Sequence, residues 1–186
     1  MTEQNLALRS PSQEILPGYV AALETGWSPS TTRDVSGEQL ASIRADAEAF
    51  LSDLNRHEGG GTITMPDGSQ VPRLPGRIRW IWDGEFCGSI NFRHVPGTED
   101  LPEHVSGHIG YSVVPWKRRR GYATRALALI LPIAAEHGLS RVAVTCDHDN
   151  QGSRRVIEAN KGILAGQQPL PERPGHSKLH FWVPTT

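Results

Sequence analysis

Twelve residues constrain the fold more than any others in this chain: Val113-Val114-Pro115-Trp116-Lys117-Arg118-Arg119-Arg120-Gly121-Tyr122-Ala123-Thr124. An apolar strand ends at Val114, a basic, glycine-bearing turn follows, and a helix is expected from about Tyr122 to His137, stopping at Gly138. A helix start presents N–H groups without intrahelical partners and the positive end of the macrodipole, so an anion is stabilised there. Gly121 lets such an anion approach the backbone closely, and the turn reads as a pyrophosphate site; its bland alternative is a solvated turn. The 186 residues carry a formal net charge of -1, so the basic cluster acts locally and its natural partner is a small anion. Nucleic acid is not expected, because no second basic stripe or interleaved aromatic set accompanies the turn.

The flanking segments read as one mixed α/β fold. Leu6 to Arg9 reads as a strand, and the stretch through Ile15, Leu16, Tyr19, Val20 and Leu23 as a helix closed by Gly26 and Pro29. Ser36 with Gln39 three positions on has the capping-box spacing, and one helix is expected from about residue 37 to 55. Gly59 to Gly76 is a loop or tight hairpin around Met65-Pro66-Asp67-Gly68. Arg77 to Trp82 and Phe86 to His94, separated by Asp83-Gly84, form an antiparallel hairpin. Gly107 to Val114 is the strand that feeds the basic turn, and Arg141 to Cys146 is a buried strand parallel to it. Pro132, inside the long helix, is expected to bend it near Ala128. A short helix from Ser153 to Asn160 and two strands, 163–167 and 178–183, complete the chain as a single domain.

At 37% apolar content the chain can bury one substantial core. Two cysteines, Cys87 and Cys146, lie in strand-like segments, which suits buried thiols in a reducing compartment better than a disulfide framework. No run approaches the ~18 apolar residues of a membrane span, and the first residues lack a basic region followed by an apolar one. The expectation is a soluble, cytoplasmic protein without membrane partners. No P-loop and no Gly-x-Ser-x-Gly elbow occurs. Asp147, Asp149, Gln151, Gly152 and Glu158 nearly spell a calcium loop, but a strand precedes them where an EF-hand needs a helix. His104 and His108 fall in extended chain, so no metal is expected.

Arg118, two residues, Gly121, one residue, Ala123 fits the pattern Arg/Gln-x-x-Gly-x-Gly/Ala of the GCN5-related N-acetyltransferase (GNAT) superfamily, which the chain resembles from about Arg77 to Ala165. Asn150, Ser153 and Gly162 stand where that family has a polar Asn-x-x-Ser segment and a short helix ending near glycine. The string from Gly107 to Ile163, with Cys146-Asp147 and Val156-Ile157-Glu158 before Asn160, is similar to a poorly characterised bacterial subgroup of predicted acetyltransferases.

The resemblance implies a GNAT fold: a central mixed sheet with two splayed parallel strands, flanked by helices. It implies acetyl coenzyme A as cosubstrate, its pantetheine on backbone from Tyr111 through Val113 and Val114. Its pyrophosphate would meet Arg118, Arg119, Arg120, Gly121, Tyr122, Ala123 and Thr124, with Asn150 and Ser153 nearby. It also implies transfer to the primary amine of a small acceptor. A peptide or protein amine, or a non-catalytic acyl coenzyme A module, are the alternatives. Residues 1–76 would shape the acceptor site and 77–186 the donor core. The family can dimerise through its last strands, which the sequence leaves open.

The attacking amine is mostly protonated at neutral pH, so a proton must leave. Alignment with the family puts His108 where many members carry a glutamate; it reads as general base or as a packed, hydrogen-bonded strand histidine. The family's usual acid, a tyrosine on the helix after Ser153, is absent; Val156 and Ile157 occur there, leaving Ser153 or a water. Asn150 holds pantetheine or a water, or caps the following helix. Trp27, Trp80, Trp82 and Trp116 are candidates for an acceptor pocket or for packing, and Glu85, Glu103 and Asp147 for an amine anchor.

Overall fold

The structure is a computed structural model that describes residues 6–65, 68–171 and 173–186. The expected mixed fold is present. Strands β1 (Ala7–Arg9), β4 (Gly76–Trp82), β5 (Phe86–Arg93), β6 (Ile109–Val113), β7 (Arg141–Asp147), β8 (Ile163–Pro169) and β9 (Ser177–Pro184) form one sheet in the order β1-β4-β5-β6-β7-β9-β8. Every neighbouring pair is antiparallel except β6 and β7. The helices are α1 (Leu16–Glu24), α2 (Ser36–Ala45), α3 (Ala47–Leu54), α4 (Tyr122–Glu136) and α5 (Gln151–Ala159). A separate hairpin, β2 (Thr62–Thr64) with β3 (Gln70–Pro72), fills the glycine-rich loop; the Pro66-Asp67 part of its turn lies outside the described residues.

Two cores follow from the pleat. Ile81, Ile90, Phe92, Ile109, Val142 and Val144 point to one face, where they bury Ala126, Leu127 and Ile130 of α4 and Ile157 of α5. On the other face Trp80, Phe86 and Val114 pack with Tyr19, Leu23, Trp27 and Leu51 from α1 to α3, with Tyr19 stacked on Trp80 at 4.6 Å between ring centroids.

Three local expectations change. The helix expected over residues 37–55 is two helices, broken at Asp46, whose extended backbone (φ -160°) leaves its carboxylate to accept the Ala49 N–H. At the start of α2 the capping role falls to Asp34, which accepts from the Ser36 N–H and hydroxyl, while Gln39 accepts from the Tyr19 hydroxyl. The third change is that α5 begins two residues earlier than expected, with Asn150 as its cap. Pro132 leaves the Ala128 carbonyl without its intrahelical donor, yet α4 continues through it to Glu136.

Candidate active site

Strands β6 and β7 share one register pair, Ile109 with Val144, and then part. Beyond that point β6 stays on β5 and β7 stays on β9, so a gap opens between the parallel strands toward Val113. The N–H of Val114 donates to the Cys87 carbonyl on β5, at 3.0 Å. Alternation along the strand then turns the N–H and C=O groups of Tyr111 and Val113 the opposite way, into the gap. Val114 itself, expected to hold pantetheine, is engaged elsewhere: its carbonyl accepts from the Lys117 N–H, and its side chain is fully buried.

At the mouth of the gap the chain makes a 3-10 turn over Pro115–Lys117 and then passes through two left-handed residues, Arg119 (φ 61°) and Gly121 (φ 77°). Gly121 is the N-cap of α4 and, being glycine, brings no capping side chain of its own. A Cβ placed on Gly121 would meet nothing within 4 Å, so the glycine is there for its backbone angle, which an L side chain rarely adopts. Arg118, Arg119 and Arg120 are exposed around it, and Arg118 Nε donates to the Val113 carbonyl at 3.1 Å. The fourth basic residue behaves differently. Lys117 is buried and pairs with Asp83 at 2.9 Å and Glu85 at 3.0 Å. Tyr122 donates its hydroxyl to Asp83 and is buried with the core, so only its backbone N–H faces the helix start. Burial pushes the Asp83 carboxyl up, but the bonds from Tyr122 and Lys117 outweigh it and hold the group down at about 2.

Across the gap, the Tyr111 hydroxyl lies 2.7 Å from Ser153 Oγ near the start of α5. Asn150 Oδ1 accepts the Ser153 N–H at 3.0 Å, the capping geometry, and so fixes where that hydroxyl sits. Burial pushes the Tyr111 phenol up to about 12, so it keeps its proton. Tyr111, Ser153 and Asn150 are therefore brought together; the side-chain role of Tyr111 was missed. Its signal was the strand period, which puts Tyr111 on the same face as Ile109, toward α4 and α5.

His108 is not brought to this cluster. Its side chain is fully buried, and its Nδ1 accepts the Ala143 N–H at 2.9 Å, which places the neutral ring's proton on Nε2. Nε2 finds no partner among the described residues. Burial, with help from Arg93, holds the imidazole down at about 4. Of the two readings offered by the sequence, the geometry is that of the packed strand histidine: the lone pair a base needs is already engaged.

On the α1 side of the same strand, Trp27 Nε1 donates to Ser112 Oγ at 3.0 Å, and Ser112 donates to the Ser28 carbonyl at 3.1 Å. A cavity of about 300 Å³ lies there, walled by Trp27, Ser28, Ser30, Ser112, Pro115 and Arg118. A second, of about 250 Å³, sits farther along the face beneath the β2–β3 hairpin. Trp80 is core and Trp116 is exposed. Asp147 is paired with Arg173 and Lys178, and Glu85 shares Lys117 with Asp83, so neither carboxylate is without a cationic partner. His148, Asp149 and His176 gather three donor atoms within 4.8 Å of one another, but His148 Nδ1 accepts from the Ser177 N–H and Arg173 approaches His176 Nδ1 to 3.3 Å. Both thiols are buried, and no helix among the described residues is long and apolar enough to cross a membrane.

Comparison with known proteins agrees with this geometry. The acetyltransferase (GNAT) domain family matches residues 8–162. Among solved structures, RimL, a ribosomal L7/L12 alpha-N-protein acetyltransferase in complex with coenzyme A, superposes with a TM-score of 0.63 at 16% identity, covering 99% of this chain and 96% of that one. MccE, a microcin C7 self-immunity acetyltransferase in complex with acetyl-CoA and AMP, gives 0.61 at 13%, with coverage of 98% and 94%. An N-acetyltransferase from Staphylococcus aureus Mu50 gives 0.58 at 13%, with coverage of 98% and 99%. No curated protein matches the chain by sequence.

Proposed function

The chain belongs to the GNAT acetyltransferase family, and from that premise we propose that it transfers the acetyl group of acetyl coenzyme A to the primary amine of a small acceptor. The observation that carries this reading is the gap between β6 and β7, with the backbone of Tyr111 and Val113 turned into it and the start of α4, entered through the left-handed Gly121, at its mouth. Pantetheine pairs with Tyr111 and Val113 in place of a neighbouring strand. The pyrophosphate takes the N–H groups from Gly121 to Thr124, with Arg118 to Arg120 around it. Residues 1–76 shape the acceptor side and 77–186 hold the donor, within one domain.

Ser153 and Tyr111 supply the proton for the departing thiolate. Their hydroxyls are already hydrogen-bonded to each other, and Tyr111 holds its proton across the physiological range. Asn150 positions Ser153 through the helix cap. No side-chain base is assigned; the amine loses its proton to water, and His108 organises the join of β6 to β7 through Ala143. A small acceptor suits cavities of about 250 and 300 Å³ better than a folded protein does. RimL is a ribosomal L7/L12 alpha-N-protein acetyltransferase, whereas the MccE structure holds the small molecule AMP beside acetyl-CoA.

Thiol release from acetyl coenzyme A across a panel of amines tests the reading. Turnover is expected with at least one small amine, with Ser153→Ala lowering kcat about tenfold or more and leaving KM for the donor little changed. Donor binding without thiol release from any amine would favour the non-catalytic alternative.

A further inference from the structure

The cavity beneath the β2–β3 hairpin is basic in a specific way. Arg56, Arg73, Arg77 and Arg93 line it against one carboxylate, Asp53. Asp53 pairs with Arg73 at 2.7 Å and Arg56 at 3.6 Å, which accounts for that carboxylate. Arg77 donates to the carbonyls of His57 and Gly76. Arg93 is half-buried and has no carboxylate partner among the described residues; its guanidinium donates only to Asn91 Oδ1, at 3.2 Å. Burial alone acts on its pKa, pulling it below the usual arginine value, as happens when a cation leaves water without a counter-charge.

Its surroundings form a floor. Asn91 Oδ1 also accepts the Gly110 N–H at 3.1 Å, so two donors fix the orientation of the amide. Its NH2 group makes no hydrogen bond among the described residues and remains a donor beside the guanidinium. A Cβ on Gly110 would come within 3.3 Å of both Arg93 Nη2 and Asn91 Oδ1, so the glycine keeps this corner open. Gly110 and Ser112 are neighbours on one face of β6, about 7 Å apart. The corner therefore lies two residues along β6 from the cavity walled by Ser112.

We propose that the acceptor carries an anionic group, a carboxylate or a phosphate, that seats on Arg93 and Asn91 while its amine reaches the acetyl group beside Tyr111. This rests on the acetyltransferase reading above and adds the chemical class of the substrate. The anion supplies Arg93 with the counter-charge that the fold withholds, in the charge-assisted geometry in which guanidinium binds oxyanions most strongly.

Matched acceptors separate the terms: 4-aminobutanoate against 4-aminobutanamide, and O-phosphoethanolamine against ethanolamine, each followed by thiol release. The anionic member of at least one pair is expected to show a kcat/KM roughly tenfold to a hundredfold above its neutral partner. Whichever pair shows the larger ratio identifies carboxylate or phosphate. Arg93→Gln brings that ratio close to one. Asn91→Asp, which sets a carboxylate against Arg93 without removing it, does the same and guards against a folding defect in the first variant. Ratios near one in both pairs for the wild type, or unchanged ratios in both variants, would overturn the proposal. If no amine releases thiol, the transferase reading has failed. The anion seat is then read by calorimetric titration of 4-aminobutanoate and O-phosphoethanolamine: heat in the wild type that disappears in Arg93→Gln supports it, and no heat in the wild type overturns it.

Discussion

Lys117 and Arg118 adjoin in a run of four basic residues, yet the fold uses them differently. Arg118 stays exposed at the mouth of the gap, whereas Lys117 turns inward to Asp83, 34 positions earlier in the chain. Local sequence cannot reveal such a pairing, because the partner arrives through the β4–β5 turn and not through the basic run. Removing Asp83 leaves the buried Lys117 with the largely exposed Glu85 as its counter-charge: Asp83→Asn is expected to destabilise by about 2 kcal/mol, measured by denaturant unfolding, and Lys117→Met in the same background to recover much of it. His108 offers a pH test. Its folded value of about 4 lies below the ~6.5 of an unfolded histidine, so between these limits the unfolded chain binds the extra proton. Its contribution is complete above ~6.5 and is lost as the pH falls toward 4, by about 3 kcal/mol at most. Unfolding curves of wild type and His108→Gln should therefore diverge near neutrality and converge near pH 4. The sequence left His108 between two roles because the register that brings Ala143 alongside it is tertiary.

Among the elements, periodicity and turn chemistry located nearly every strand and helix. They missed the break at Asp46. Leu40, Ile43, Ala47, Phe50, Leu51 and Leu54 keep helical spacing across it because α2 and α3 pack onto the same core, so the apolar pattern alone does not reveal the interruption. The short β6 was expected to run from Gly107, but regular pairing begins at Ile109, since the His108 N–H turns toward Ala143 while its carbonyl stays with Arg93. That switch lets β6 join β7 at one position and then leave it. Pro132 is exposed on α4 and occupies a helical interior where an N–H is missing. Pro132→Ala should raise stability by up to ~3 kcal/mol without altering acetyl transfer, read as a higher Tm and an unchanged thiol-release rate.

For the molecule as a whole, the sheet separates the two proposed tasks. The α4–α5 face carries the gap, the helix start and the Tyr111–Ser153 pair; the α1–α3 face carries the two cavities. The proposed donor side could be read early because the turn from Arg118 to Ala123 is contiguous and its left-handed position 121 favours glycine. The proposed acceptor side could not, because Asn91, Arg93, Gly110 and Ser112 converge only once β5 and β6 pair. In the proposed complex the gap and the α4 N-terminus together hold the donor, and a cocrystal with acetyl coenzyme A is the decisive experiment. Pantetheine density is expected between β6 and β7 against the backbone of Tyr111 and Val113, with pyrophosphate at Gly121 to Thr124 and loss of both in Gly121→Glu. Density lodged elsewhere, or the same density in Gly121→Glu, would contradict it.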